Sequence, residues 1–325
     1  MAFENGVGNF RDVELVSGAL RALGCAVTVT QVSVQARRRR RSAVLRGMVA
    51  ARAWGEKSRL IRARKKFDLN VMMEHVWPEH LPSAQRNVVI PNPEWFDHAD
   101  QRLLKLVDRV WAKTGHSYDA FTRLGCRVSM TGFDSEDRCD TAVPRDAGFF
   151  HLAGKSRMKG TTQLVELWAK HPEWPTLDIV HSRKAAFKSI DAANIRYQTR
   201  YLADAELRAL QNRHVFHLCL SQTEGWGHYI GEAQSVGALL LTTDARPMNE
   251  LVTVERGLLV ESIESGKQHL AMTYSFAPAD LERAVAVALG MSEHERTRLG
   301  SAARDWFLEN KRGFGQRLNS ALAEL

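Results

Sequence analysis

What most constrains the fold of this chain is a repeated alternation of short strand-like runs with longer helical stretches. In the first half the strand-like runs are 26–32, 69–76, 87–90, 107–112 and 127–131, and the helical stretches are 42–64, 97–106 and 116–124. The second half repeats the pattern, with strands at 149–153, 177–180, 214–220 and 238–243 and helices at 161–170, 228–236, 278–290 and 293–309. Such alternation is typical of parallel sheets covered by helices.

A polar, aperiodic segment at 133–146 separates the two series and has the composition of an interdomain linker. A chain of 325 residues also suits two domains of roughly 150 residues each. We therefore predict an α/β protein with two Rossmann-like domains, at 1–135 and 148–325, joined by a linker at 136–147. Two such halves are expected to face each other across a cleft, where ligands usually bind.

Several function classes are disfavoured by what the sequence lacks. Apolar runs stay below the ~18 residues that span a bilayer, and the N-terminus has no signal-peptide layout, so we expect a cytoplasmic protein. The cysteines are widely spaced and form no C-x-x-C pair, which argues against a disulfide framework or a zinc site. His214 and His217 share a strand at a spacing that predicts opposite faces, so they do not predict a metal pair.

The most informative local pattern, at 221–233, lies between an apolar strand and a helix. Gly225 and Gly227 fall on the turn, where glycine lets the backbone approach an anion closely. The helix that follows presents N–H groups and the positive end of its dipole, which suits a diphosphate. Glu232, near the start of that helix, can accept hydrogen bonds from a vicinal diol such as a ribose. Glu224, on the turn, can reach a sugar.

Glu224 and Glu232 are separated by seven residues in a Ser-x-x-Glu-Gly-x-Gly context. This pattern resembles the paired glutamates of the retaining family-four glycosyltransferases of GT-B fold. A bare pair of glutamates at this spacing is common, so the resemblance depends on further matches in the right order. It implies that Glu232 holds the nucleotide ribose, that Glu224 contacts the donor sugar, and that amides at Gly227, His228 and Tyr229 hold sugar and phosphates.

A second match is the strand–loop–helix opening at 150–160, with Lys155 after the first glycine and Lys159 four positions later. Cationic side chains beside a helix N-terminus would neutralise the departing diphosphate, as a metal does in other transferases. The family usually has Arg where this chain has Lys155, and Arg157 is close, so the sequence leaves open which of them reaches the phosphate. Further matches, at 201–207, 243–251 and 256–260, extend the resemblance over most of 148–305.

The first half carries a weaker version of the same resemblance. Gly6 and Gly8 open a helical stretch and are similar to the family's first glycine loop, which faces the donor diphosphate and the acceptor. The family places a full strand before this loop, and only residues 1–5 precede it here, so that strand is either a stub or begins upstream. His75, at the end of strand 69–76, is a candidate acceptor-side residue, with a satisfied structural histidine as the alternative.

Positive charge is concentrated between Arg37 and Lys66, where thirteen Lys and Arg stand against one acid, Glu56, in a chain of net charge +8. The rest of the chain is therefore net acidic. This segment predicts a solvated face or attraction to an anionic membrane surface, at about 1 kcal/mol per basic residue. The membrane alternative is favoured because family members that act on membrane-linked acceptors resemble this chain in having a basic N-terminal domain. No nucleic-acid module accompanies the charge, so nucleic acid is not an expected partner.

Together these matches predict a retaining glycosyltransferase that moves a sugar from a nucleoside-diphosphate sugar to a glycan, lipid-linked or small-molecule acceptor. The Asp-x-Asp triplet of metal-dependent transferases is absent, so we expect no metal and no cofactor besides the donor. The resemblance implies that the leaving diphosphate assists the acceptor hydroxyl, while the protein supplies positioning and charge stabilisation. Alternatives are a nucleotide-sugar epimerase or glycoside phosphorylase on the same fold, and a non-catalytic protein that binds nucleotide sugars or polyanions.

Overall fold

A computed structural model describes residues 2–3, 7–32, 66–182, 187 and 189–325. The predicted helix 42–64, nearly all of the basic segment and Gly6 lie outside these residues. The chain divides into two compact units. The first comprises Met1–Phe133, Gln268–Ala271 and Arg312–Leu325, and the second comprises Asp134–Lys267 and Met272–Lys311.

The first unit contains a sheet of parallel strands in the order β2-β1-β3-β4-β5-β6. The strands are β1 (Ala2–Phe3), β2 (Thr30–Gln31), β3 (Phe67–Glu74), β4 (Ala84–Pro91), β5 (Arg109–Ala112) and β6 (Val128–Met130). The described part of β1, Ala2–Phe3, lies between β2 and β3. The predicted strand 26–32 is reduced to β2, whose two residues are exposed at the edge of the sheet.

Helices cover this sheet, as the alternation predicts. They are α1 (Val7–Ala22), α2 (His98–Leu103) and α3 (Gly115–Arg123), with short 3₁₀ turns at Pro78–Ser83, Pro93–Trp95 and Leu104–Leu106. Asp97 begins α2 by accepting hydrogen bonds from the next backbone N–H groups, at 2.8 and 3.1 Å. The core contains Trp77, Phe96 and Phe121, and the two phenylalanine rings meet edge to face at 4.9 Å.

The second unit contains a parallel sheet in the order β12-β11-β10-β7-β8-β9. Its strands are β7 (Asp146–Gly154), β8 (Leu177–His181), β9 (Ile195–Gln198), β10 (His214–Cys219), β11 (Leu239–Thr243) and β12 (Leu258–Val260). Two outer strands, β13 (Ser262–Gln268) and β14 (Ala271–Phe276), form a separate ribbon. Buried aromatic residues hold the core together, with Phe149 stacked on Phe216 at 4.6 Å and against Trp168 at 4.9 Å.

The helices of this unit follow its strands. They are α4 (Thr161–Trp168), α5 (Asp204–Arg213), α6 (His228–Ser235), α7 (Met248–Leu251), α8 (Pro278–Gly290) and α9 (Glu293–Ala323). The sequence did not predict β9, α5, β12 or the β13–β14 ribbon, because these elements are short or polar. Within the part of the chain that the structure describes, every helix is too short or too polar to cross a bilayer.

The chain's C-terminal part differs from the predicted boundaries. Helix α9 continues to Ala323 rather than ending at 309, and Arg312–Leu325 groups with the first unit. Glycines at 313 and 315 predict a helix end, but Phe314 and Leu318 are buried at helical spacing. Burial of these side chains outweighs the local preference of glycine, which costs about 1 kcal/mol per residue.

The segment at 136–147, predicted to be an interdomain linker, groups with the second unit, and many of its residues are exposed. Arg138 is 1% exposed. Arg145 donates to the carbonyls of Val236 and Gly237 at 2.7 and 3.0 Å, which satisfies the C-terminal end of α6. Part of the polarity that indicated a linker is therefore used in hydrogen bonds within the second unit, of which those of Arg138 are buried.

Candidate functional site

The second unit's sheet reverses its order between β7 and β10. Strands β8 and β9 are added on one side of this pair, and β11 and β12 on the other. Ligands of open α/β sheets bind outside the carboxyl ends of the strands at such a switch point. β7 ends at Gly154 and β10 at Cys219, and the loop after each leads into a helix, α4 or α6. The motif residues of the second half lie on these two loops and helix starts.

Each of these helices begins at a glycine in the left-handed backbone region. Gly160 has φ 65° and Gly227 has φ 81°, a region that residues with a Cβ rarely adopt. A Cβ on Gly160 would lie 2.5 Å from the Leu220 carbonyl oxygen, and one on Gly227 would lie 3.0 Å from Ile230 Cδ1. Helix N-termini attract anions through their N–H groups and dipole. The two adjacent helix starts therefore suit a diphosphate.

Glu224 is held by a short chain of hydroxyl groups. Ser221 donates from Oγ to Glu224 Oε1 at 2.6 Å. The Tyr229 hydroxyl lies 2.6 Å from the same Ser221 oxygen, and it must be the donor there because Ser221 has used its own proton. Burial raises the pKa of Tyr229, so this phenol stays protonated. The carboxylate is therefore fixed on the turn rather than left to rotate.

Lys159 lies close enough to both glutamates of the motif to interact with them electrostatically. Its Nζ donates to the Leu152 carbonyl at 2.8 Å and lies 3.8 Å from the centre of the Tyr229 ring, a cation–π contact. Burial lowers the pKa of Lys159, and Glu224 and Glu232 oppose that change. The amine is thus held by a carbonyl, a ring and nearby acidic groups, at the carboxyl end of β7.

Glu232 is almost completely buried, at 1% exposed, although its side chain ends in a carboxyl group. Its Oε2 accepts a hydrogen bond of 2.7 Å from Gln211 Nε2, on α5. Buried carboxylates need such partners, because an unpaired one costs several kcal/mol. Glu232 is the fifth of the eight residues of α6, so it lies just beyond the first turn rather than near the start of the helix as predicted.

A buried histidine on β7 connects this strand to β10 and to the start of α4. His151, on β7, contacts the Leu218 carbonyl through Nδ1 at 2.8 Å and Thr161 Oγ1 through Nε2 at 2.9 Å. A carbonyl can only accept, so Nδ1 carries the proton and Nε2 accepts from Thr161. Burial lowers the pKa of His151 to about 4, and Lys159 adds to that effect. The ring is neutral at pH 7 and ties β7 to β10 and α4.

The other predicted donor residues are distributed as follows. Gly225 and the buried Gly227 lie on the turn before α6, and His228 begins that helix, with Nδ1 at 3.1 Å from Ser135 Oγ. Lys155 and Arg157 are exposed on the loop after β7. The structure thus brings Lys159, Glu224, the turn and Glu232 together, and leaves the two other cations at the surface.

The predicted residues of the first half lie in the first unit. Gly8 is in the first turn of α1. His75 follows β3 at its carboxyl end, directly after Glu74, whose φ of 64° is unusual for a residue with a side chain. His75 Nδ1 lies 2.8 Å from Asp100 Oδ2, and Asp100 also accepts from the Val76 N–H at 3.0 Å. The histidine is therefore oriented by a buried carboxylate.

One expectation about the histidines was wrong. His214 and His217 do not point to opposite faces, because both rings contact Phe150, at centroid distances of 5.9 and 5.1 Å. The register of β10 against β7 shifts between His214 and Phe216, and an irregularity of this kind breaks the two-residue alternation. Among the described residues, no three His, Cys, Asp or Glu side chains are arranged to hold a metal ion.

Sequence reasoning missed several residues that support the site. Ser135 Oγ accepts from Trp226 Nε1 at 3.0 Å, and a Cβ on Gly231 would lie 2.5 Å from it. Gln211 and Arg138 lie behind Glu232. The available signal was a serine and an arginine in the polar segment at 133–146, but no local pattern connects them to a helix many residues away.

Comparison with known proteins gives the fold. Neither a family model nor any curated protein matches the sequence. Among solved structures, a glycosyltransferase from Rickettsia africae is similar with a TM-score of 0.66 and 13% identity, covering 99% of this chain and 96% of that one. Sucrose-phosphate synthase from Thermosynechococcus elongatus is similar with a TM-score of 0.69 and 12% identity, covering 99% and 98%.

A third similar structure is the Anabaena protein HepE in complex with UDP and glucose, with a TM-score of 0.64 and 14% identity over 100% of this chain and 99% of that one. At these identities the likeness concerns the fold. The chain has the GT-B fold of these glycosyltransferases, and the predicted α/β class with two Rossmann-like domains is confirmed.

Proposed function

We propose that this chain is a glycosyltransferase that takes a sugar from a nucleoside-diphosphate sugar bound at the carboxyl ends of β7 and β10. One observation carries the proposal. Two carboxylates, Glu224 and Glu232, and one cation, Lys159, lie beside two glycine-capped helix starts at the switch point of the second unit's sheet. The solved structure of HepE, which has the same fold, holds UDP and glucose.

Each part of such a donor has a matching partner. Glu232 accepts hydrogen bonds from the ribose diol, and Glu224 binds a hydroxyl of the transferred sugar. The starts of α4 and α6 bind the diphosphate, with Lys159 beside it and Lys155 or Arg157 closing over it from the exposed part of the loop. A donor bound in this way is fixed at its ribose, its phosphates and its sugar, which is what positioning for transfer requires.

The reaction proposed is transfer with retention of the sugar's anomeric configuration. The bond from the anomeric carbon to the diphosphate oxygen breaks, and the acceptor oxygen forms its bond on the same face. The acceptor's proton passes to the departing diphosphate. Charge that develops on the diphosphate is stabilised by Lys159 and the helix starts, which are already in place before reaction. The proposal includes independence from metal ions.

The test is release of nucleoside diphosphate by the full-length protein, in EDTA, from a panel of uridine-, guanosine- and adenosine-diphosphate sugars. We expect slow hydrolysis of one donor, with loss of release in Glu232→Ala. A matched control is Glu309→Ala, because Glu309 is exposed on α9 and should leave release unchanged. Wild-type protein that neither releases diphosphate nor gains thermal stability with any donor would contradict the proposal. Interconversion of donor sugars without transfer would favour an epimerase instead.

We assign His75, held by Asp100, and the glycine loop of Gly6 and Gly8 to the acceptor and its approach to the donor. The acceptor class is a glycan, a lipid-linked glycan or a small molecule, and the basic segment from Arg37 to Lys66 would bring the protein to an anionic membrane in the cytoplasm. Cosedimentation with vesicles containing phosphatidylserine, but not with neutral phosphatidylcholine vesicles, tests the membrane part.

A further inference from the structure

Glu232 is held by a hydrogen-bond chain whose other members lie outside the glutamate motif. Gln211, on α5, donates from Nε2 to Glu232 Oε2 at 2.7 Å. Arg138, in the segment before β7, donates from Nε to Gln211 Oε1 at 3.0 Å. Each of the three residues is 1% exposed. Their positions are therefore set by one another rather than by water.

Donation along these hydrogen bonds runs in one direction, from Arg138 through Gln211 to Glu232. A guanidinium group carries donors only, and an ionised carboxylate carries acceptors only. The amide between them must turn its oxygen to Arg138 and its nitrogen to Glu232. Arg138 therefore determines which end of the Gln211 amide faces the glutamate.

Arg138 is itself fixed at several points. Its Nη1 donates to both oxygens of the Asp204 carboxylate, at 2.8 and 2.9 Å, and Nη2 donates to the Asp204 carbonyl at 3.0 Å. Its backbone N–H donates to Ser235 Oγ at 2.9 Å. A guanidinium group that binds a carboxylate through several donors has a defined orientation, which a lysine amine would not have. Arg138 thus ties the first residue of α5 to the last residue of α6.

We infer that Arg138 and Gln211 are positioning residues that orient the Glu232 carboxylate toward the donor's ribose diol, and so set a preference for ribonucleotides over 2′-deoxyribonucleotides. This inference rests on the proposed function, because it needs a nucleotide at Glu232. A carboxylate has several lone-pair positions, so the bond from Gln211 is compatible with bonds from a diol. A site built to bond a hydroxyl group discriminates against the analogue that lacks it.

The experiment compares the affinities of the full-length protein for UDP and 2′-deoxy-UDP, and for GDP and 2′-deoxy-GDP, by isothermal titration calorimetry. In the wild type we expect the ribonucleotide of one pair to bind between about tenfold and about a hundredfold more tightly, as hydrogen bonds to charged groups imply. In Gln211→Met this ratio should fall to less than about threefold, mainly through weaker binding of the ribonucleotide. Arg138→Lys, which keeps the charge but not the fixed amide orientation, should give an intermediate ratio.

The matched control is Asn212→Ala. Asn212 is the next residue of α5 and donates to the carbonyls of Arg138 and Arg208, at 2.7 and 2.8 Å. It therefore contributes to the same packing without touching Glu232, so this variant should lose stability and keep the wild-type ratio. A variant with Gln211→Glu, which retains an acceptor for Arg138 but turns a second carboxylate toward Glu232, serves if Gln211→Met does not fold.

The outcomes separate the inference from the function on which it rests. Wild-type protein that binds none of the four nucleotides contradicts the proposed function, and the inference fails with it. Wild-type protein that discriminates, together with folded Gln211 variants that discriminate equally well or weaken both nucleotides by the same factor, contradicts the inference alone. A lost ratio in the Gln211 variants and a retained ratio in Asn212→Ala supports it.

Discussion

The loop after β7 carries two lysines, four residues apart, that the structure holds in different ways. Lys159 is fixed by the Leu152 carbonyl and the Tyr229 ring, next to the glutamates. Lys155 is exposed at the other end of the same loop, as is Arg157. A cation that is already in place needs no reorganisation when charge develops, whereas an exposed one must first be ordered. Under the proposed function, we therefore expect the inner part of this loop (Lys159) and its outer part (Lys155 and Arg157) to serve different steps.

The largest effect is expected from removing the inner cation. Lys159→Met keeps the length of the side chain but removes the charge beside the diphosphate, so kcat for donor hydrolysis should fall by about 10²–10³. Steady-state kinetics on the donor found in the panel would measure this, with Lys155→Met as the control of identical chemistry. Equal losses of kcat in the two variants would show that Lys159 and Lys155 contribute in the same way, which would contradict the difference in role expected here.

The second effect is a pH dependence of the free energy of unfolding that is due to His151, the buried histidine on β7. The pKa of His151 is about 4 in the folded protein and about 6.5 when unfolded. Between these values the unfolded chain binds a proton that the folded protein does not, so stability rises with pH through this window and is reduced below it. The full difference is about 3 kcal/mol.

Chemical unfolding of the wild type and His151→Gln at pH 7.5 and pH 4.5 tests this expectation. His217, whose pKa burial lowers to about 3, contributes in both proteins, so the difference between them isolates His151. We expect the variant to be less stable at pH 7.5 and to lose less stability on acidification. Parallel losses in the two proteins, or an NMR titration of His151 near pH 6.5, would contradict the assignment.

The sequence was most informative where the motif lies on a strand, a turn and a helix that each have a clear sequence pattern. Strand β10, the glycine turn and α6 lie within one or two residues of their predicted bounds, because an apolar run, a glycine cluster and a helical period follow each other without a gap. Lys159, Glu224 and Glu232 consequently lie together as predicted. The first unit shows the opposite case, since Gly6 and Gly8 were assigned from resemblance alone, and Gly8 lies within the first turn of α1.

The residues behind the motif could not be predicted for a physical reason. Gln211 and Arg138 act through hydrogen bonds that join positions 73 residues apart, and no local period or propensity encodes such a contact. The polarity of 136–147 predicted a linker, yet Arg138 within it is satisfied by buried partners. His214 and His217 show the same limitation, because the irregularity of β10 depends on its pairing with β7 and not on its own sequence.

The glycines at the two ends of the loop after β7 allow a comparison of stability, in which we expect a smaller effect. Gly154 and Gly160 both have positive φ, of 59° and 65°. A Cβ on Gly154 meets nothing within 4 Å, whereas one on Gly160 meets the Leu220 carbonyl oxygen at 2.5 Å. Gly154→Ala should therefore cost about 1 kcal/mol for its backbone conformation alone. Gly160→Ala should cost roughly 2–3 kcal/mol, because the backbone must also move.

Thermal unfolding of both variants would measure these losses of stability, and binding of nucleoside diphosphate would show whether the site is also affected. A shift of α4 relative to β10 would disturb the diphosphate site, so Gly160→Ala should also bind nucleoside diphosphate more weakly, while Gly154→Ala should bind it normally. If the two variants lost the same stability, the close approach of Gly160 to Leu220 would not be a constraint on the site.

The smallest effects are expected at the exposed end of the loop. Lys155→Ala and Arg157→Ala should each raise the KM for the donor only a few-fold, because exposed charge pairs contribute about 1 kcal/mol or less. Their kcat should stay near that of the wild type, since neither cation is fixed beside the diphosphate before binding. The effect should shrink as salt is raised from 0.05 to about 0.5 M, because salt screens exposed charges. Measuring KM for both variants across this range also decides which side chain reaches the phosphate: that variant alone should retain a defect at high salt. A loss of kcat in either variant that salt does not change would instead place an outer cation in the same role as Lys159.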